Sequence, residues 1–373
     1  MLNLHVIQAR YGDCLVLEYG TGAAPRYLLV DGGPAQVYKR HLKTLLEAVG
    51  DRRGELDVLV LSHVDDDHVH GLLDLLNELQ WQRARERPET ISIREVWHNS
   101  FSQTLGNDVQ SRLHQVLDRA GSARAAMSRS DKTSRDIAQG DELTRSVDNL
   151  GLHHNERFGG ERIITVEGTA QPIHLGNLSL RILGPTQPSL EELRDDWMEW
   201  LAEQEERVLV PDPLRAERAA RRADTSVPNL SSITFLAQAD GKTILFTGDG
   251  RADHLLQGLA LTGALDSNGN LHVDVLKLPH HGSKYNISEG FVRAVTADRY
   301  VISASGRHGH PHKDTLRWIV ETARARGRNI EIVATNTTRS LRELVEAYQP
   351  PEYCYELTLM PQQQHAMVIQ LAA

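Results

Sequence analysis

The sequence predicts an α/β (α+β) protein built of alternating strands and helices. Three observations lead there. Leu56–Leu61 is a nearly all-apolar run of strand length, the pattern of a strand buried on both faces. Strand-like apolar runs alternate along the chain with segments whose leucines recur at helical spacing. Strands and helices also occur twice over in similar order, the second set starting near residue 163.

The first strand is Leu2–Val6, and the second, Cys14–Tyr19, alternates apolar and polar residues, with Gly12-Asp13 turning between them. A third strand, Tyr27–Val30, runs into Asp31-Gly32-Gly33, where glycine permits a tight exit. Leu42, Leu45, Leu46 and Val49 mark a helix over Tyr38–Val49. After the buried strand, Leu72–Leu79 reads as a helix and Ile93–Trp97 as a strand, while residues 100–160 are polar and helical in part. Strands resume at Ile163–Val166 and Leu178–Leu183.

Ser189–Glu206 then carries eight acidic residues against the single Arg194, and its Leu190, Leu193, Trp197, Trp200 and Leu201 share one helical stripe. The sign inverts beyond it, with Arg207, Arg215, Arg218, Arg221 and Arg222 against Asp212 and Glu217. Residues 185–228 therefore read as an inserted helical element. It is either a solvated helix packed by its tryptophans or a contact for a regulatory partner. Further strands follow at Ser232–Ala237, Thr243–Thr247, Val273–Leu278 and Arg299–Ser303, then a helix over Lys313–Arg326. Strands at Ile330–Val333, Tyr355–Leu359 and Ala366–Leu371 form an extension over 328–373 of one domain spanning 1–373.

Composition excludes several classes. The 41 basic and 50 acidic residues leave a net charge of −9, so nucleic acid would have to be held locally rather than by bulk charge. No apolar run reaches membrane-spanning length, and the N-terminus lacks the basic start of a signal peptide. A cytoplasmic protein without membrane contact is expected. Two cysteines exclude a disulfide framework and a cysteine-built metal site, which leaves 18 histidines and the carboxylates as ligands.

Four motifs carry chemistry. Ser62-His63-Val64-Asp65-Asp66-Asp67-His68, with Gly71 beyond, lies between a buried strand and a helix, where α/β proteins place their sites. Three aspartates between two histidines would be costly without a cation. His63 and Asp65 can serve one metal, Asp67 and His68 a second. Thr247-Gly248-Asp249 ends another strand, where one carboxylate can bridge two metals. Pro279-His280-His281-Gly282-Ser283 offers a ligand and a neighbouring contact. Arg307-His308-Gly309-His310-Pro311-His312 suits metal, phosphate or solvent alike.

In this order, with Asp31-Gly32 ahead of them, the motifs resemble the metallo-β-lactamase superfamily, and within it the hydrolase domain of ComEC-type DNA-uptake proteins. Tyr11-Gly12-Asp13-Cys14 stands at that group's Q-G-D-S turn, Asn229 and Ser231-Ser232 precede its T-G-D strand, and Gly309-His310-Pro311-His312 matches its G-H-P-H loop. The match runs over roughly residues 3–326.

The resemblance implies a four-layer αββα sandwich and two divalent metal ions, Zn²⁺ or Mn²⁺. It implies His63 and Asp65 on one ion, Asp67 and His68 on the other, Asp249 between them, and His281, with His280 as the alternative, as the last ligand. Asp65 replaces a histidine common in the superfamily. The usual ligand before T-G-D has no clear counterpart; His98 is the candidate, ahead of His153 and His154. Asp13 and Asp31 read as residues behind the ligands.

The function expected is a metal-dependent phosphodiesterase, a nuclease acting on DNA or RNA. Asp67 or Asp249 would orient the attacking water, and His310 would hold the phosphate or protonate the leaving oxygen. Lys284, Arg307, His308 and His312 would supply substrate contacts. Without a spanning segment, a bacterial defence effector is the analogy for a free-standing copy. The alternatives are a hydrolase of a small ester, lactone or phosphocholine-like substrate, and a regulatory binding module with a decayed site.

Overall fold

The computed structural model describes residues 1–100, 104, 112, 132–159, 163–209, 229 and 231–372. Two mixed sheets face each other. The first has seven strands in the order β15-β1-β2-β3-β4-β5-β6: Leu2–Ile7 (β1), Leu15–Thr21 (β2), Ala24–Val30 (β3), Glu55–Val60 (β4), Ser92–Trp97 (β5), His153–His154 (β6) and the C-terminal Ala366–Ala372 (β15). The second has eight in the order β14-β13-β12-β11-β10-β9-β8-β7. These are Ile173–Leu175 (β7), Leu178–Gly184 (β8), Thr234–Ala239 (β9), Lys242–Phe246 (β10), Leu271–Lys277 (β11), Val295–Ile302 (β12), Ile330–Ala334 (β13) and Tyr355–Leu359 (β14).

Each sheet is antiparallel on one side and parallel on the other. β3 to β6 run parallel in the first and β10 to β14 in the second. Period-two alternation explains the interior. Leu2, Leu4, Val6, Leu15 and Leu17 of one sheet meet Leu180, Ile182, Phe235, Phe246, Val275 and Val301 of the other in a single buried cluster.

The outer faces are covered by helices. Lys43–Asp51 (α1), Asp66–Arg83 (α2) and Lys132–Asn149 (α3) pack over the first sheet through Leu46, Leu72, Leu76, Leu143 and their neighbours. Ala252–Leu261 (α5), Glu289–Ala294 (α6), Lys313–Ala325 (α7) and Arg339–Ala347 (α8) cover the second through Leu255, Phe291, Leu316, Ile319 and Leu341. Three stacked clusters make the four layers of an αββα sandwich. A further helix, Gln187–Leu209 (α4), buries Leu190, Leu193, Trp197, Trp200 and Leu201 with Ile137 of α3. Of the segment 185–228, residues 210–228 lie outside the described residues.

Some expected elements change. Ile163–Val166 is no strand. Ile164 is buried, but its N–H donates to the Asn99 side chain and that of Val166 to the Pro185 carbonyl, so no ladder forms. Helix α8 was not expected, because Leu341 and Leu344 alone make its apolar face. Helix α2 starts earlier than its leucines indicate: Asp65 accepts a hydrogen bond from Asp66 N at 2.8 Å and caps it.

Parallel strands deliver their carboxyl ends to one rim, and the candidate residues follow those ends: Asp31 after β3, His63 after β4, Asp249 after β10, His280 and His281 after β11. Helix α2 must lie close to the β3 exit to reach that rim. A Cβ on Gly71 would sit 1.9 Å from the Gly32 carbonyl oxygen, and one on Gly32 would sit 2.3 Å from Leu72 N. Gly32 therefore admits α2, and the turn itself falls to Gly33 at φ +71°.

Candidate metal centre

Asp249 is the residue on which the rim converges. Its carboxylate oxygens lie 3.3 Å from His68 Nε2, 3.8 Å from His63 Nε2, 3.8 Å from His281 Nε2 and 3.5 Å from His280 Nε2. Asp67 faces the same point, with Oδ2 3.3 Å from His281 Nε2 and Oδ1 3.9 Å from His68 Nε2. His63, His68 and Asp249 form one group whose donor atoms lie within ligating distance of one another, and Asp67, His68 and His281 form another.

The backbone brings these residues together through tight loops. His280 and His281 are both left-handed, at φ 45° and 55°, and Asp31 is too, at φ 58°. His280 N donates to the Gly248 carbonyl, Thr247 Oγ1 to the Lys277 carbonyl, and Asp249 N to Ser232 Oγ. A Cβ on Gly12 would lie 1.9 Å from the Asp67 carbonyl oxygen, so glycine there lets the β1–β2 turn reach α2.

A second ring of residues aims the first. Asp31 accepts from His68 Nδ1 at 2.8 Å and from Ser62 N and Oγ at 2.7 Å each, while His63 Nδ1 donates to Ser62 Oγ at 3.1 Å. One carboxylate thus sets the tautomer of both histidines and turns each Nε2 toward Asp249. Asp13 stands behind His281 as an ion-pair partner, its Oδ1 3.3 Å from the Nδ1, and is itself held by Lys277 Nζ at 2.6 Å. Asn286 accepts from His280 Nδ1 at 2.9 Å and donates to the Asp249 carbonyl at 2.9 Å.

Charge follows geometry. Burial alone would raise Asp249, but His280, His68 and His281 reverse this and hold it well below the usual carboxylate range. Burial would lower His68 and His281. Asp249 and Asp31 carry the first well above its ordinary value, and Asp13 and Asp249 carry the second up to about 10. His63, buried and beside His68, falls to about 4. The carboxylates demand positive charge at this point.

Metal ions fit that demand. The Nε2 atoms of His63, His68 and His281 and Asp249 Oδ1 are fully buried with no hydrogen-bond partner, although they point at one another. Buried polar atoms are rarely left so, and a nitrogen- and oxygen-ligated divalent ion satisfies all four.

The other sequence candidates are placed as follows. Asp65 is at the α2 cap, outside every ligating group among the described residues. His98 is buried and stacks on His154 at 6.0 Å; it too is outside those groups. His280 borders the centre, as its distance to Asp249 shows. His310 is buried, 5.0 Å from the His280 ring and 6.1 Å from that of His281. Its own burial, then His280, His281 and His312, lower it to about 3, so it is a neutral imidazole at pH 7.

His308 is exposed, and His312 Nδ1 accepts from Lys284 N at 3.2 Å. Lys284 Nζ is engaged by Asp314 at 3.1 Å. Arg307 lines a narrow cleft of about 30 Å³ together with Tyr11, Asp67, His280, His281 and His310. Lys277 and Ser62 were missed. For Lys277 a signal existed: a lysine between Leu276 and Leu278 in an apolar strand must be buried with a counter-charge. Ser62 carried none.

The metallo-beta-lactamase superfamily model matches residues 8–183, which include the His63–His68 motif and end before Asp249. ComE operon protein 3 of Bacillus subtilis (strain 168) is 30% identical over 96 residues, 25% of this chain. The chain thus spans only 12% of that relative's length. Among solved structures, a diphosphatase from the PhnP family aligns over 99% of this chain and 98% of its own at 10% identity, with a TM-score of 0.39, a likeness too slight to bear on chemistry. No helix among the described residues is long and apolar enough to cross a membrane. The match over residues 8–183 and the αββα sandwich whose strand ends gather histidines and aspartates agree: the chain is similar to the metallo-beta-lactamase superfamily over that stretch, and its fold is consistent with that superfamily's sandwich.

Proposed function

We propose that the protein is a metal-dependent hydrolase of phosphodiesters, and in the first place a nuclease acting on DNA or RNA. The observation that carries this reading is the convergence of three unpartnered imidazole nitrogens on Asp249 beside a cleft that also holds His310 and Arg307. His63 and His68 with Asp249 would hold one divalent ion, and Asp67 and His281, sharing Asp249, a second. Bound there, Zn²⁺ or Mn²⁺ would supply Lewis acidity toward phosphoryl oxygens and make water more acidic.

The chain's own residues do the rest. Asp31 and Asp13 orient the imidazoles, and Asp67, the more exposed carboxylate, orients water at the cleft floor. His310, neutral and in the cleft wall, donates a hydrogen bond to a phosphoryl oxygen; proton donation to the leaving oxygen suits it less. One domain over 1–373, with 185–228 inserted and 328–373 as an extension, belongs to the same reading. The small volume of the cleft favours one second reading, a small phosphate ester as substrate.

The test is elemental analysis after reconstitution, followed by Mn²⁺ and Zn²⁺ assays on single-stranded, double-stranded and plasmid DNA, RNA, a lactone and a carboxylic ester. About two ions per chain and cleavage of nucleic acid support the nuclease. Hydrolysis of the lactone or ester alone would replace it, and no metal at all would sink both readings.

A further inference from the structure

The mouth of the cleft carries a feature that metal chemistry does not need. The Arg307 guanidinium lies over the Tyr11 ring, 4.2 Å from its centroid, and Arg10 approaches the same ring at 5.7 Å. Tyr11 and Arg307 both line the cleft beside Asp67 and His310. The neighbouring lysines are spent on carboxylates, Lys277 on Asp13 and Lys284 on Asp314. Arg307 is in no ion pair among the described residues.

Its position is nonetheless defined. His310 N donates to the Arg307 carbonyl at 3.1 Å, and Gly309 N to that of Gly306 at 3.1 Å. The opposite wall is tied to the same framework: Asn336 Nδ2 donates to the carbonyls of Arg10 at 3.2 Å and Ala304 at 2.8 Å, and Ser303 Oγ to that of Gly12 at 2.5 Å. A cation placed without a counter-charge against an aromatic face, at the edge of an anion-handling cleft, is arranged for an anion and a flat group next to it.

We propose that Arg307 and Tyr11 form a subsite for a second phosphate of the substrate, one nucleoside away from the phosphate over the metal centre, with Tyr11 stacking on the intervening base. This rests on the phosphodiesterase reading above. The shared chemistry is a phosphate, either a terminal monoester or the next diester of a polynucleotide.

The test begins with binding, which needs no turnover. Metal-loaded protein is titrated by calorimetry with thymidine 3′-monophosphate and thymidine 3′,5′-bisphosphate. The bisphosphate should bind about tenfold tighter or better, as a charge-assisted contact implies. Arg307→Ala should abolish that preference, Arg307→Lys restore part of it and Tyr11→Leu weaken both ligands, all at unchanged metal content. Equal affinity of the wild type for the two ligands, or a preference surviving in Arg307→Ala, overturns the subsite and leaves the hydrolase reading standing.

Kinetics on dTpdT, pdTpdT and dTpdTpdT then assign the source. Faster cleavage of pdTpdT marks a terminal phosphate, and faster cleavage of dTpdTpdT an internal diester; either supports the subsite. Should none be cleaved while the bisphosphate preference persists, the subsite stands on a small phosphate ester and the nuclease reading falls.

Discussion

Lys277 is fully buried, and its ammonium is satisfied by Asp13 and by the Leu278 carbonyl at 2.9 Å. Breaking a buried pair by removing one partner leaves the other charge stranded, which costs about 3–5 kcal/mol. Lys277→Met should therefore destabilise the fold by that order and also weaken metal binding, because Asp13 no longer orients His281. Adding Asp13→Asn should restore much of the stability and none of the affinity. Urea unfolding beside a chelator competition reads the two effects separately, and a double variant that regains affinity would refute the positioning role. His310 gives the complementary test. His310→Ala should keep both metals and lose about 10²–10³-fold in kcat/KM, as for one donor to a charged transition state. Since a neutral imidazole cannot serve as the acid, bis(p-nitrophenyl) phosphate should suffer as much as an unactivated diester. If the activated ester is spared, His310 is the proton donor instead.

Among the elements, α2 has the most exacting placement, because its first turn carries Asp67 and His68 and its second must pass Gly32. Gly71→Ala would push a methyl group into the Gly32 carbonyl. The helix must shift, at a cost of about 1–3 kcal/mol or more, and the shift carries His68 away from Asp249. Metal content below that of wild type in a folded Gly71→Ala protein is the expected result. Helix α4 bears on the centre only at one remove. Its tryptophans pack on Ile137 of α3, and α3 in turn contacts the start of α2, Gln139 donating to Asp66 at 2.7 Å. Replacing residues 185–228 by a short linker should lower the melting temperature yet preserve metal binding and hydrolysis of a generic phosphodiester. A folded but wholly inactive product would make the segment part of the cleft wall.

At the scale of the whole molecule, protons and metals compete for one charge balance. The surrounding carboxylates favour the protonated forms of His68 and His281 in the absence of a cation, whereas ligation requires neutral imidazole. Metal binding near pH 7.5 should release about two protons, measured by titration in buffers of different ionisation enthalpy, and affinity should rise with pH. Acid stability depends on a different residue. His98, buried and near His154, is lowered to about 3, so the unfolded chain takes up a proton near pH 6.5 that the folded chain refuses until about pH 3. The stability held above pH 6.5 is lost as pH falls through that window, by at most about 1.4 kcal/mol per pH unit. His98→Asn, if it folds, should flatten the dependence of stability on pH between 4 and 6.5.

Much of this was legible in the order of residues. The all-apolar run ending at Leu61 announced a buried strand, and the cluster from His63 to His68 announced a loop able to hold a metal, because both signals are local: one is a periodicity, the other a density of charge that a cation would relieve. Local signals also misled. Ile163–Val166 has strand composition, yet Asn99 and Pro185, distant in sequence, take its hydrogen bonds. Asp65 has a ligand's chemistry and spacing, and one of its oxygens also caps the helix that follows, a second role that its spacing did not announce. Which side chain faces which was settled by packing of segments 37 to 296 residues apart. Asp31 meets His68, Lys277 meets Asp13, and Arg307 meets Tyr11 because two sheets bring their strand ends to one rim. Residue types and their spacing encode the chemistry a loop can perform. Its partners follow from long-range burial, which depends on the summed pattern of the whole chain and leaves no mark at the residue itself.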